Sequence, residues 1–410
     1  MKNHKSVIHR MDQRWITALA IASYTFLVCI AGQFGGGVAS RHLLQFLGVP
    51  ALEHPFMDMR GVAAWCEAAS EGKNPSLEIT YITFPGEKPV RDFLMNYSPL
   101  VLTLGSFGLD QNHAGKWAII LTLFYAASLW LLCGSCSPTH AFLWGILLLS
   151  PASIMVVERG NLDMMLFVFI VASLLLRANY LGATAPILLA ASIKFFPIAA
   201  LAAPWREGGK RNRVAAIFGA AVFLTYLFFL RSSIGQIGIS LTGQYQSAFG
   251  CAVSADLLRH FGIIGDGNYS LIRGGLAAAG CLLLAISGMF GFLNSKTPAL
   301  RTLSDRMQYA FFLSAPLMLG LFVIGNQMDY KWIFFLPMVP AVFKLIDSPD
   351  TLESRISKVW FGGILTYSYW TFFSDEGSLR NALLKQAVMW IVMCITAFLA
   401  GRLWKKEATR

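Results

Sequence analysis

The sequence is short of charge, and shortest of acid. Only 13% of its 410 residues are Asp, Glu, Lys or Arg, 22 of them acidic, while 56% are hydrophobic. A soluble globular chain carries nearer a quarter charged residues, so an ordinary aqueous fold is excluded. Ordered cysteine patterns are missing as well. The seven Cys are scattered, several inside apolar segments, and give neither a disulfide framework nor a Cys/His metal spacing. Cys133-Gly-Ser-Cys136 is formally a CxxC, but it lacks a partner pair and lies at the end of an apolar run, so it reads as two membrane-proximal thiols. The polar stretches hold no dense Asp/Asn/Glu cluster of the kind that binds Ca²⁺ or Mg²⁺, and no metal or cofactor is expected.

What the chain does have is base and oil. Its 33 Lys and Arg give a formal net charge of +11. These residues do not form a nucleic-acid surface; they collect in short clusters between apolar runs, as the positive-inside rule requires. The expectation is an all-α integral membrane protein, one transmembrane domain over 1–410, with no nucleic-acid partner.

Lys2, Lys5, Arg10 and Arg14 precede an uncharged stretch from Trp15 to Phe34, long enough to cross a hydrocarbon core of about 30 Å. It reads as a signal anchor with a cytoplasmic N-terminus; a cleaved signal peptide would have a shorter apolar core. Further apolar runs lie at 117–133, 141–157, 164–176, 214–230, 274–293, 309–325, 332–343, 359–373 and 386–401. Between 182 and 205 two short runs meet at "SIKFFP", around Lys194 and Pro197. The basic clusters at 205–213, 294–306, 344–358 and the tail "GRLWKKEATR" belong inside. If 182–205 is a hairpin touching the outer face at Lys194, the total is about twelve spans and both termini are cytoplasmic. A rival count makes 182–205 one span and promotes 98–109 to another, but that run is too short to cross.

This topology puts residues 35–113, residues 232–270 and several short turns outside. In "VVERGNLDMM", Glu158, Arg159, Asn161 and Asp163 sit where two oily helices join. Charges at the edge of hydrocarbon usually face a bundle interior or an aqueous cavity. An interfacial Glu158–Arg159 pair with Asn161 capping the next helix accounts for the same residues. Lys194 either snorkels to the interface or offers its ammonium to an anionic headgroup. Lys331, in "GNQMDYKWIFFLP", has the same two readings, with Asp329 as a near partner. Cations converging on one face suit a phosphate, which Lys binds as a point charge and Arg bidentately.

These elements resemble the GT-C class of lipid-phosphate-sugar-dependent glycosyltransferases, and within it glycosyltransferase family 87, the polyprenyl-phosphate-mannose-dependent mannosyltransferases. That family's first loop runs from an Asp through a small-residue helix to a Gly-x-Asn-Pro turn and then a Tyr-Pro-Pro-Leu element. Here these are Asp58, Gly72-Lys73-Asn74-Pro75 and Tyr97-Ser98-Pro99-Leu100. "ERGNLDMMLFVFIVASLLLR" and "LLAASIKFFPIAALAAPW" resemble its Asn-containing turn with a Leu-rich helix and its Lys-Pro hairpin. Two positions depart from the pattern: Ser98 stands where a Pro is usual, and Met328-Asp329-Tyr330-Lys331 where the family tends to show Trp-x-His-Tyr. The resemblance implies a GT-C-like bundle with amphipathic surface helices in the first outward loop. It implies a lipid-linked donor, mannose first, a glycan or glycolipid acceptor, an inner-membrane location with an outward site, and inversion at the anomeric carbon.

The chemistry can be argued apart from the resemblance. A sugar on polyprenyl phosphate already carries its leaving group, so what remains is to deprotonate the attacking hydroxyl, general-base work for one placed carboxylate. Asp58 is the expected base. It opens a segment with Met59, Val62, Ala63, Cys66 and Ala69 at helical spacing, an amphipathic helix suited to the membrane surface. An acid favoured by the helix dipole would look the same, and Glu53, Glu67 and Asp92 compete for the role. Tyr97 joins Glu158, Arg159, Asn161, Lys194 and Lys331 as an expected substrate contact. On the acceptor side, "SLTGQYQSAFGCAVSADLLRHFG" offers Gln244, Tyr245, Gln246 and His260, or a bland surface loop. Trp residues near span ends read as an aromatic belt. A transporter or flippase would share the span count but predicts paired inverted repeats with broken helices in both halves. A scaffold gives no reason for carboxylates and cations to gather on one face.

Overall fold

A computed structural model describes residues 42, 44–50, 52, 54–84, 88–91, 95, 97–133, 137–207, 209–231, 248–294, 303–324, 327–348, 351–373 and 378–404. The expected first span at 15–34, the acids Glu53 and Asp92, and Gln244, Tyr245 and Gln246 lie outside the described residues. The fold is almost wholly helical. In chain order the first elements are α1 (Met57–Ser70), β1 (Tyr81–Ile82), β2 (Val90–Arg91), a 3₁₀ helix η1 (Pro99–Phe107), α2 (Ala114–Cys133), α3 (Pro138–Leu148), α4 (Pro151–Glu158) and α5 (Asp163–Leu175). There follow α6 (Tyr180–Ile193), η2 (Phe196–Leu201), α7 (Ala202–Glu207), α8 (Lys210–Phe229), β3 (Ala248–Phe249), α9 (Val253–His260), α10 (Asp266–Leu293) and α11 (Asp305–Ile324). The last are β4 (Gln327–Met328), η3 (Asp329–Met338), α12 (Val339–Ile346), α13 (Leu352–Ser368), α14 (Trp370–Phe373) and α15 (Leu379–Trp404).

Five of these helices, α2, α8, α10, α11 and α15, are long and apolar enough to cross a membrane, and the pair α3 and α4, bent by 55°, would make a sixth. The run at 98–109 forms η1, whose nine residues rise about 18 Å and cannot cross. The apolar run at 332–343 is not one α-helix either: it divides between η3 and α12, with Pro337 inside the 3₁₀ segment. Serine followed by proline starts three helices. Ser98, Ser137 and Ser150 each accept a backbone N–H while the next residue, a Pro, occupies the first turn. The Ser150-Pro151 start bends the α3–α4 pair, and across the break the Leu147 carbonyl accepts both the Ser150 N–H at 3.2 Å and Ser153 Oγ at 3.0 Å.

The chain divides into two compact units, the first comprising 1–175, 185–198 and 218–239 and the second the remainder. In the first, α2 packs on α5, with Tyr125 edge-on to Phe167 at 5.1 Å. The helix α1 packs on η1, α2 and β1. Its burial corrects the expected surface helix: Met59, Val62, Ala63 and Cys66 are buried, but so are Ala64, Trp65 and Ala68 around the remaining faces. Small alanines let neighbours approach from several sides, so this helix sits inside protein rather than lying along lipid.

The second unit packs α10 against α15, α11 against η3 and α15, and α12 against α13. Phe311, Phe312, Phe322, Trp332, Phe335 and Trp360 fill its core. The residues of β3 pair antiparallel with those of β4, Ala248 opposite Met328. The α10–α15 contact is backbone on backbone. A Cβ on Gly291 would land on the Phe398 carbonyl, and one on Gly401 on the Gly288 carbonyl. Such small-residue seams are how apolar helices associate without a hydrophobic driving force. Gly401→Ala is therefore expected to destabilise the second unit by at least about 3 kcal/mol, the upper end for overpacking. Thermal unfolding in detergent would read this as an early transition.

Candidate functional site

The site grows from one helix ending and another beginning. At the end of α4, Gly160 takes φ 62°, and the N–H groups of Gly160 and Asn161 donate to Val157 (2.9 Å) and Val156 (3.1 Å), a Schellman closure. The chain entering α1 docks on this turn. Phe56 N–H donates to the Glu158 carbonyl at 2.7 Å, and Asp58 N–H to the Arg159 carbonyl at 3.0 Å. The last carbonyls of α4 thus satisfy the first donors of α1, and opposite helix-dipole ends meet. Phe56 itself is held at φ 62°, a left-handed conformation costing a bulky residue about 1–2 kcal/mol.

Gly160 lets the two ends approach. A Cβ there would stand 3.1 Å from the Cβ atoms of Ala118 and Met59 and 3.2 Å from that of Phe56. Gly160→Ala adds this crowding to a left-handed strain of about 1–2 kcal/mol. The expected result is a lower unfolding temperature in detergent and a displaced turn, which carries the partners of Asp58.

Around this junction the side chains form a relay. Asn161, 2% exposed, donates from Nδ2 to Asp58 Oδ2 at 2.5 Å, and its Oδ1 accepts the Asp163 N–H at 2.8 Å. One side chain therefore caps α5 and fixes the carboxylate. Asp163 is fully buried, with Oδ1 2.7 Å from Lys194 Nζ. The Lys194 ammonium also lies over the Tyr97 ring, 4.3 Å from its centroid, and Tyr97 leans on Trp65 at 5.6 Å. Ser98 N–H donates to the Ile193 carbonyl at 3.1 Å, which holds Tyr97 against the end of α6. The Tyr226 hydroxyl donates to the Ser192 carbonyl at 3.0 Å, so its contact with Ser98 is one in which Ser98 donates. Ser98, a departure from the family pattern, is thus a cap and a tether.

Asp58 is partly buried; Asn161 holds Oδ2, and Oδ1 has no hydrogen-bond partner among the described residues. Burial raises its pKa above the ordinary carboxylate value, against the lowering effects of the Arg159 charge, the Asn161 hydrogen bond and the Lys194 charge. A fixed carboxylate with one open oxygen and a raised proton affinity can take a proton from a hydroxyl. The competing acid Glu67 is occupied: its two oxygens accept from Gln111 N (2.8 Å) and Nε2 (2.6 Å).

The structure brings Asp58, Tyr97, Glu158, Arg159, Asn161 and Lys194 into one unit, but Arg159 is already paired with Glu158 and Lys194 with Asp163. Glu158 Oε1 accepts the Leu52 N–H at 3.2 Å, and its Oε2 lies 3.2 Å from Arg159 Nε. Arg159 Nη2 donates to the Pro50 carbonyl at 3.3 Å. This pair straps the chain before α1 onto the turn. In the second unit, His260 ends α9, edge-on to Phe261, and Lys331 lies in η3. Asp329, the expected partner of Lys331, instead gives one oxygen to the Tyr367 hydroxyl and the other to Lys385. Sequence reasoning missed the Asp163–Lys194 pairing, Trp65 and Tyr226. Among the described residues, no three His, Cys, Asp or Glu side chains gather closely enough to hold a metal ion.

Comparison of the chain with protein-family models, with curated proteins and with solved structures returned no match.

Proposed function

We propose that the chain is a GT-C-type membrane glycosyltransferase of about twelve spans. It moves a sugar, mannose first, from polyprenyl phosphate to a glycan or glycolipid acceptor at the outer face of the cytoplasmic membrane. The observation that supports this best is Asp58, fixed by Asn161 through one oxygen and open at the other. In the reaction, the acceptor hydroxyl gives its proton to Asp58 Oδ1 as its oxygen bonds the anomeric carbon. The bond from that carbon to the phosphate oxygen breaks, and polyprenyl phosphate leaves with the electron pair. The resemblance to glycosyltransferase family 87 adds the lipid donor and inversion.

One observation favours a second reading, transport of a lipid-linked substrate: α3 and α4 form a broken apolar pair, as transporter folds use at their binding sites. Sealed vesicles holding the purified protein separate the two. With radiolabelled polyprenyl-phosphate sugar and a membrane extract as acceptor, a transferase makes a labelled product of new mobility. A transporter moves the unchanged donor across the bilayer and makes none.

A further inference from the structure

Arg159 faces Glu158 and Lys194 faces Asp163, so neither brings an unneutralised charge to a substrate. Arg60 differs. It is partly buried on α1, its Nε donates to the Pro55 carbonyl at 3.4 Å, and it has no carboxylate partner among the described residues. Its guanidinium lies over the Phe84 ring at 5.0 Å, and His54 stacks on the same ring at 3.7 Å with 20° between planes. We propose that Arg60, steadied by Phe84 and His54, is the binding group for the phosphate ester of a lipid substrate, an inference that rests on the transferase reading above.

The argument is electrostatic and geometric. Two residues along a helix point to nearly opposite sides, so Arg60 leaves α1 away from Asp58. The bond to Pro55 turns it back along the helix toward the end where Asp58 sits. Burial alone depresses its pKa. A half-desolvated cation without a counter-charge is costly to hold, and a phosphate entering the site would recover that cost. Among the described residues, the bond through Nε leaves both Nη groups for a ligand, and the Phe84 ring beneath the guanidinium helps hold it in place. That is the preorganised fork that matches two phosphate oxygens. A neutral sugar would use the ring but leave the charge unmet.

The phosphate could be that of the donor's polyprenyl ester or that of a glycerophospholipid acceptor, and binding by the purified full chain separates them. Calorimetry in micelles would compare farnesyl phosphate with the uncharged alcohol farnesol, and a lysophosphatidylglycerol as the acceptor-type phosphodiester. Arg60→Gln is expected to weaken one phosphate probe by about tenfold or more while leaving farnesol binding unchanged. Arg60→Lys, which keeps the charge but not the fork, should fall between. Loss on farnesyl phosphate assigns the donor, with a raised donor KM; loss on the phosphodiester assigns the acceptor. Unchanged affinity for both probes in a folded Arg60→Gln protein overturns the inference, as does a parent chain that prefers neither phosphate probe to farnesol. Binding needs no turnover, so lost phosphate affinity without any sugar transfer would leave this subsite standing and remove the transferase reading. Transfer with unaltered phosphate affinity would do the reverse.

Discussion

Asp58→Asn is expected to lower the turnover of sugar transfer by about 10²–10⁴-fold, the usual contribution of a positioned general base, while leaving the fold at least as stable as the parent. The two halves have one cause. Burial lifts the Asp58 pKa above its unfolded value, near 3.9, so the folded chain holds the extra proton between those two values. The carboxylate therefore destabilises the fold progressively as pH rises through that window, and the penalty is fully present above the raised pKa. Asparagine removes it while still offering an oxygen to Asn161 Nδ2, which now donates to Asp58 at 2.5 Å. The same shift fixes the pH dependence. Activity should fall as pH drops through the raised pKa, so the acid limb lies above the ordinary Asp value. A variant that loses activity because it unfolds would instead show an earlier thermal transition.

Lys194→Met is expected to cost about 3–5 kcal/mol of stability, because it leaves the fully buried Asp163 without its partner at 2.7 Å. Changing both residues, Lys194→Met with Asp163→Leu, should cost far less than the sum of the single changes, since apolar replacement of a buried pair is often near neutral. Asp163 also opens α5, where a negative charge suits the helix dipole, so the double variant is not expected to be wholly free of cost. A double-mutant cycle from chemical denaturation in micelles gives the coupling directly. Its consequence for function is specific: loss of activity in a Lys194 variant reports a disturbed turn beneath Asp58 rather than a missing phosphate contact.

The helices were legible where the apolar runs were long. The runs at 117–133, 214–230, 274–293, 309–325 and 386–401 fall within or across helices α2, α8, α10, α11 and α15, because hydropathy alone decides such segments. Asn161 was legible too, since an Asn before an acidic helix start is a capping signal; the sequence could not show that its other end holds Asp58, 103 positions earlier. The Asp163–Lys194 pair, 31 positions apart, and the Asp329–Lys385 pair, 56 apart, are set by tertiary packing and leave no local pattern. Periodicity marked the stripe of Met59, Val62, Ala63 and Cys66 on α1 but left out Ala64, Trp65 and Ala68, which are buried as well and meet neighbours on its other faces. Arg60 has no local sequence signal; its meaning depends on Phe84, His54 and the lack of a carboxylate beside it among the described residues.

The measurement that bears most directly on the proposed function is transfer of radiolabel from a polyprenyl-phosphate sugar by the purified protein in micelles, parent beside Asp58→Asn, at matched folded concentration. The parent should yield a labelled glycan or glycolipid, with the Asn variant at least about a hundredfold slower. Transfer by Asp58→Asn at the parental rate, or no labelled product from the parent with any polyprenyl-phosphate sugar, would contradict it.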